Sequence, residues 1–132
     1  MADSALQEIE LSFDGKTYRI RPTFKVLVGI EANTGQSSRD LGLKIWNGNA
    51  ALIEIATVLQ VILRDQGVER SLDEIGDVIM ADGFLPFTDP LGRFLTRSQR
   101  GHKEHEREAL KAAEDAKKEA APGAPEDPPT GA

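Results

Sequence analysis

Residues 8–21 of the chain read EIELSFDGKTYRIR and contain two alternating runs separated by Asp14-Gly15. An Asp-Gly dipeptide tolerates the positive φ angles of a two-residue type I′ turn, so the pattern predicts a β-hairpin. The resulting register gives one face the pairs Ile9–Ile20, Leu11–Tyr18 and Phe13–Lys16. The opposite face receives the pairs Glu8–Arg21, Glu10–Arg19 and Ser12–Thr17. A slip by one residue would destroy both the apolar face and the charge-matched face, so the register is well specified.

Five helix-forming segments follow the hairpin, and we predict them over residues 24–33, 39–47, 49–66, 72–82 and 89–98. Residues with hydroxyl side chains precede four of them and can act as N-caps, namely Thr23, Ser38, Ser71 and Thr88. The segment 49–66 is apolar on most sides and should therefore be the central helix. We place Leu72, Ile75 and Ile79 on the inward face of the helix 72–82. The predicted fold class is α+β, with an N-terminal β-hairpin followed by a bundle of about five α-helices.

The composition divides the chain into four parts. Residues 1–7 are predicted to be a flexible N-terminus, and residues 8–98 a single α+β domain. Large apolar residues almost cease after Leu95, and residues 99–120 are rich in charged helix formers. This segment lacks an apolar stripe, so we expect a solvent-exposed helix. Residues 121–132, APGAPEDPPTGA, hold four of the seven prolines and are predicted to be a disordered tail.

Length, charge and cysteine content exclude several classes of protein. A chain of 132 residues suits one domain, and the absence of cysteine excludes disulfide scaffolds and thiolate zinc sites. A net charge of −6 argues against a general phosphate-binding surface. No segment approaches the roughly 20 apolar residues needed to span a bilayer, and Met1–Ser4 does not resemble a secretory signal. We therefore expect a small, acidic, soluble cytoplasmic protein without a membrane role.

Two clusters of side chains were considered as metal sites. His102 and His105 stand three apart beside Glu106, but the polar surroundings offer no other ligands, which favours two solvated histidines. The acidic face formed by Asp73, Glu74, Asp77 and Asp82 lacks the loop of alternating oxygen ligands that calcium prefers. No phosphate-binding loop, nucleophile elbow or metalloprotease helix is present. We predict no catalytic residue, no metal and no cofactor.

DNA binding is a third hypothesis, because residues 71–98 could be drawn as a helix-turn-helix with Arg93, Arg97 and Arg100 on the second helix. The intervening ADGFLPFTDP is too long and too rich in proline for the usual tight turn. The rest of the domain is acidic, so a nucleic-acid partner is disfavoured.

Three aromatic residues are candidates for contact with a protein partner: Trp46, Phe84 and Phe87. Phe84-Leu85-Pro86-Phe87 concentrates apolar bulk in a predicted connector, where loops are usually polar. The alternative, which the sequence favours, is that these side chains close one end of the helical core. The edge of the hairpin is another candidate for assembly, including homo-oligomerisation, because an unpaired strand edge can accept another strand.

The stretch FDGKTYRIRPTFKVLVGIEANTG, residues 13–35, resembles the opening of small tail-assembly proteins of siphophages and gene transfer agents. The resemblance is carried by Asp14-Gly15, Tyr18, the run Arg21-Pro22-Thr23-Phe24, and Ile30-Glu31 before Gly35. LDEIGDVIMADGF, residues 72–84, resembles the family's acidic helix followed by glycine. Lys25-Val26, where the family has small residues, and the long charged tail depart from its pattern. The resemblance implies no enzymatic residues.

The resemblance implies a role in binding the tape-measure protein, or tail tube subunits, while a phage-like tail is assembled. Our first hypothesis is therefore a non-catalytic assembly chaperone or adaptor in the cytoplasm of the bacterial host. The second is a structural tail component, associated with the virion. An acidic helical protein could cover the apolar faces of a tape-measure chain by helix-in-groove contacts, in agreement with the first hypothesis.

Overall fold

The computed structural model describes residues 8–99 and 101–120, with the side chains at 101–106 and 117–120 left out. The predicted flexible N-terminus (residues 1–7) and disordered tail (residues 121–132) lie outside the described residues. The described part contains a two-stranded antiparallel sheet followed by six α-helices, so the predicted α+β class is confirmed. No helix in this part of the chain combines the length and the apolar character needed to cross a membrane.

The hairpin consists of β1 (Ile9–Phe13) and β2 (Lys16–Ile20), and its register is the predicted one, with Leu11 opposite Tyr18. Gly15 has φ 80° and Asp14 has φ 51°, so both turn residues adopt the positive φ that the Asp-Gly dipeptide indicated. The apolar face of the hairpin is buried in the core through Ile9, Leu11, Phe13 and Ile20.

The helices are α1 (Phe24–Thr34), α2 (Ser38–Trp46), α3 (Leu52–Asp65), α4 (Leu72–Asp82), α5 (Leu85–Thr96) and α6 (Gly101–Ala120). A short 3₁₀ turn, Arg97–Gln99, joins the last two. The α6 helix coincides with the predicted charged helix, and most of its described side chains, over residues 107–116, are exposed. The α4 helix has the predicted bounds, and Ser71 and Glu74 form the predicted capping box.

The second helix is capped by Ser37, so the prediction of Ser38 as the cap is wrong. The Ser37 hydroxyl accepts a hydrogen bond from the N–H of Asp40 at 3.1 Å. Ser38 donates its own N–H and hydroxyl to the Glu31 carboxylate, at 2.8 and 3.0 Å. Glu31 therefore occupies the hydrogen-bonding groups of Ser38 and ties the start of α2 to α1.

The third helix begins at Leu52, later than the predicted residue 49. Gly48 has φ 74°, and the N–H of Asn49 donates to the carbonyl of Lys44 at 2.8 Å. These groups terminate α2, so residues 48–51 serve as a connector and are not free to start a new helix.

The fifth helix begins at Leu85, four residues before the predicted start, so the predicted apolar connector and the cap at Thr88 are both wrong. The Thr88 hydroxyl donates to the carbonyl of Phe84 within the helix, at 3.2 Å. Pro86 lies in the first turn, where a missing N–H costs little, and Pro90 lies inside the helix. The early start buries the ring of Phe87, and this burial offsets the hydrogen bond that Pro90 cannot donate.

The most extensive helix–helix packing is between α2 and α5, and glycine allows their approach. A Cβ added to Gly42 would lie 2.8 Å from Cγ2 of Thr96 and 3.0 Å from Cβ of Leu95. A Cβ added to Gly92 would overlap the indole of Trp46. The two glycines therefore allow the backbones to come close enough for Leu41, Ile45, Leu91 and Leu95 to share one buried cluster with the hairpin.

Candidate functional site

The three aromatic residues singled out from the sequence have different surroundings. Phe87 is 1% exposed, and its ring centroid lies 6.4 Å from that of Phe13, which places it in the core. Trp46 at the end of α2 and Phe84 before α5 are 41% and 40% exposed. The Phe13–Phe87 pair is the one aromatic pair among the described residues, so neither Trp46 nor Phe84 stacks on another ring. Phe87 is therefore inaccessible to a partner in this conformation of the chain, whereas Trp46 and Phe84 remain accessible.

The other clusters named from the sequence do not converge on a site. The side chains of His102, His105 and Arg100 lie outside those described. Arg93 pairs with Asp89 one turn away, at 2.9 Å. Arg97 is buried, and this burial, together with the nearby Arg93 charge, lowers the pKa of its guanidinium. Within the described residues, no group of three His, Asp or Glu side chains is placed to hold a metal ion.

An apolar groove of about 350 Å³ runs between α3 and α4. Its α3 wall is the first turn of the helix, where Leu52 and Ile53 are 48% and 57% exposed. Its α4 wall carries Met80, which is 72% exposed, and Leu72, more than a third of which is exposed. The floor consists of small residues, Ala56 and Gly76, and the rim carries two carboxylates, Asp73 and Asp77.

This groove was not predicted from the sequence. We expected Leu72 to lie on the inward face of α4, and α3 to have neighbours on most sides. Both expectations are wrong at the groove, because α4 covers only part of the first turn of α3. Two features of the sequence could have indicated an uncovered face on α4. Gly76 lies in the middle of the helix, and Met80 follows it by one turn on the same face.

A partly buried ion-pair network fixes the α3 wall of the groove. Lys44 donates to the Glu54 carboxylate at 2.7 Å, and the side-chain amide of Gln36 donates to the same oxygen. The other carboxylate oxygen accepts the N–H of Ala51 at 2.8 Å. The hydrogen bond from Lys44, followed by that from Ala51, lowers the pKa of Glu54 to about 2. The network thus holds the first turn of α3, which presents Leu52 and Ile53.

Arg70 fixes the α4 wall from the loop between the two helices. Its guanidinium contacts the Asp14 carboxylate at 2.8 Å and the Glu74 carboxylate at 3.9 Å, and lies 5.4 Å from the Phe13 ring centroid. The hydrogen bond with Asp14 is the largest cause of a raised pKa at Arg70. The side-chain amide of Gln60 donates to the carbonyl of Arg70 at 3.0 Å. The hairpin turn and α3 therefore both hold the loop that sets the position of α4.

The groove carries few groups that could perform chemistry. Its polar side chains are the carboxylates of Asp73 and Asp77, and neither forms an ion pair or hydrogen bond with another described residue. An open apolar trough with an acidic rim is suited to binding an apolar surface of a second polypeptide.

Comparison with known proteins gives a family match. The model of the family described as phage tail tube protein, GTA-gp10, matches residues 7–101, which cover the hairpin and helices α1 to α5. No curated protein and no solved structure matches the chain.

Proposed function

We propose that this chain, which belongs to the phage tail tube protein family described as GTA-gp10, is a non-catalytic adaptor for tail assembly. In this proposal it binds the tape-measure protein or the major tail protein before that partner is incorporated into the tail. The binding takes place in the cytoplasm of the bacterial host. Catalysis and a cofactor have no part in the proposed role.

The α3–α4 groove is the observation that carries this proposal. Large apolar side chains are normally covered in a monomer, and a contiguous exposed apolar surface is typical of a protein-binding site. Ile53 and Met80 expose more than half of their surface although both lie on well-formed helices. A partner that covered them would remove apolar area from water, which supplies the main driving force for association.

The charge of the chain supports a chaperone-like role. Its net charge of −6 disperses copies of the protein by mutual repulsion. A complex between this chain and a long apolar helical partner would share that repulsion, so the partner would be kept from aggregating until assembly.

A structural tail component is the second candidate, and the description of the family as a tail tube protein favours it. In that case the chain would be retained in the finished particle in many copies and would contact other copies of itself. The two candidates differ in where the protein is found after assembly.

The deciding experiment is co-expression of the chain with the tape-measure protein and, separately, with the major tail protein of the same gene cluster. An adaptor should raise the soluble fraction of one partner, co-purify with it, and be missing from purified particles by mass spectrometry. Detection of many copies per particle would favour the structural candidate. If neither partner gains solubility or co-purifies, and particles lack the chain, both candidates are overturned.

A further inference from the structure

Four glycines lie inside helices over residues 8–99, and three of them have a packing reason. A Cβ on Gly29 would lie 3.3 Å from Val61, and those on Gly42 and Gly92 would collide with side chains across the α2–α5 interface. Gly76 differs, because a Cβ added to it would meet no atom within 4 Å. A glycine inside a helix costs about 1 kcal/mol relative to alanine, so Gly76 weakens α4 with no compensation from the rest of the described chain.

Gly76 lies at the floor of the α3–α4 groove, between the two unpaired rim carboxylates in sequence. Asp73 and Asp77 stand four apart on one face of α4. The helix dipole stabilises Asp73 in the first turn, but the repulsion between the two like charges opposes that gain by about a few tenths of a kcal/mol. The α3–α4 groove thus combines two locally unfavourable features. One is a glycine without a neighbour, and the other is a like-charge pair without a cation. Both become favourable if a second chain brings an apolar side chain and a cation to the same place.

We propose that this groove binds an amphipathic helix of a partner polypeptide, with a bulky apolar side chain seated over Gly76 and lysine or arginine facing Asp73 and Asp77. A third helix can pack into the groove between α3 and α4, as neighbouring helices pack in a helix bundle. The absence of a side chain at Gly76 lets the incoming helix approach closely. The unpaired carboxylates select a basic helix over an acidic one. A second copy of this chain is the poorer occupant, because each copy carries a net charge of −6.

This inference names the recognition mode of the proposed adaptor function and therefore rests on it, but it can be tested alone. The probes are two fluorescent model peptides of about 18 residues, which is five helical turns. Both carry the same leucine stripe, one has lysine and the other glutamate on the polar face, and a side-chain staple holds each helical because helices of this length are marginal in water. Binding to the full chain is measured by fluorescence anisotropy, and the site by the shift of the Gly76 amide resonance.

We expect the lysine peptide to bind at least about tenfold more tightly than the glutamate peptide and to shift the Gly76 resonance. Gly76→Gln, which fills the floor, and Asp77→Lys, which reverses the rim charge, should each weaken the lysine peptide about tenfold or more. Asp115→Lys is the matched control, since it makes the same charge change on the exposed face of α6 and should leave the affinity within about twofold. A thermal stability no lower than that of the wild type checks that the fold of each variant is intact, because the substitution at Gly76 is expected to raise it.

The proposal is overturned if the lysine peptide fails to bind, if the two peptides bind equally, or if the Gly76 variant binds like the wild type. An equal effect of Asp77→Lys and Asp115→Lys would also overturn it, since binding would then follow net charge alone. These results are separable from failure of the adaptor role. A tape-measure protein that co-purifies equally with wild type and Gly76→Gln refutes the groove and keeps the adaptor. If the lysine peptide binds specifically but neither tail partner gains solubility or co-purifies, the adaptor role is refuted and the groove is kept as a helix-binding site.

Discussion

Gly92→Ala and Gly76→Ala are the same substitution in two helices, and the structure predicts opposite effects on stability. Alanine is the better helix former by about 1 kcal/mol at either position. At Gly76 the added methyl enters open space, so the full gain should appear in the free energy of unfolding. At Gly92 the methyl would overlap the indole of Trp46, which must leave its place.

The cost at Gly92 follows from the covered area of Trp46. Trp46 is 41% exposed, so about three-fifths of its surface is covered, where complete burial of an aromatic side chain of this size covers roughly 200 Å². Releasing about 120 Å² at ~25 cal/mol per Å² costs up to about 3 kcal/mol. Subtracting the gain in helix propensity leaves a net loss of about 2 kcal/mol. The two substitutions should therefore differ by about 3 kcal/mol, or roughly 12–24 °C in Tm for a domain of this size.

Urea denaturation and thermal melts followed by circular dichroism measure these differences. Trp46 is the one tryptophan of the chain, so its emission reports directly on the displaced indole and should shift to the red in Gly92→Ala. In a Trp46→Ala background the collision is absent, and Gly92→Ala should become neutral or stabilising. The reasoning is refuted if Gly92→Ala and Gly76→Ala change stability in the same direction, or if the penalty at Gly92 persists without Trp46.

Three further predictions concern acid stability, the core and the hairpin turn. The folded-state pKa of Glu54 is lowered from 4.5 to about 2, so its stabilising contribution is complete above pH 4.5 and is lost as the pH falls towards 2. Wild type should lose roughly 1–2 kcal/mol more than Glu54→Gln in urea titrations across that window, and equal losses would contradict the Lys44 network. Phe87→Ala should cost about 3–5 kcal/mol of unfolding free energy, whereas Phe84→Ala should cost about 1–2 because 40% of that residue is already exposed; similar losses would mean that Phe87 is not a core residue. Gly15→Ala should destabilise by about 1–2 kcal/mol because of its φ of 80°, while Gly15→Asn should recover much of that loss; an alanine variant as stable as wild type would contradict the turn geometry.

The hairpin and the bounds of α4 were predicted correctly from the sequence because their determinants are local. Asp14-Gly15 fixes the turn, and the period-two alternation on each side leaves one register with an apolar face. Ser71 and Glu74 satisfy each other's backbone groups at the start of α4, and Gly83 follows its end. Such signals act over a few residues and need no information about the rest of the chain.

The wrong boundaries arose where distant residues compete for the same groups. As sequence positions, Ser37 and Ser38 are equivalent candidates for the cap. The structure distinguishes them because Glu31, seven residues before Ser38, accepts hydrogen bonds from the N–H and hydroxyl of Ser38. The start of α5 at Leu85 places Phe87 within the helix and against Phe13, which is distant in the chain. Local propensity favoured a later start because of the two prolines, and tertiary burial outweighed it.

The sequence by itself determined the α+β class, the hairpin register, the approximate helices and the resemblance to tail-assembly proteins, because each depends on short-range periodicity, capping or motif. Only the tertiary structure decided which apolar faces stay uncovered. Leu52, Leu72 and Met80 have the same chemistry as core residues, and their exposure depends on how far α4 overlaps α3. That overlap depends on contacts made outside the two helices: Arg70, in the loop between them, pairs with Asp14 of the hairpin turn, and Lys44 of α2 pairs with Glu54 in the first turn of α3. Arg70 and Asp14 are 56 residues apart, so no local pattern in the sequence specifies their contact.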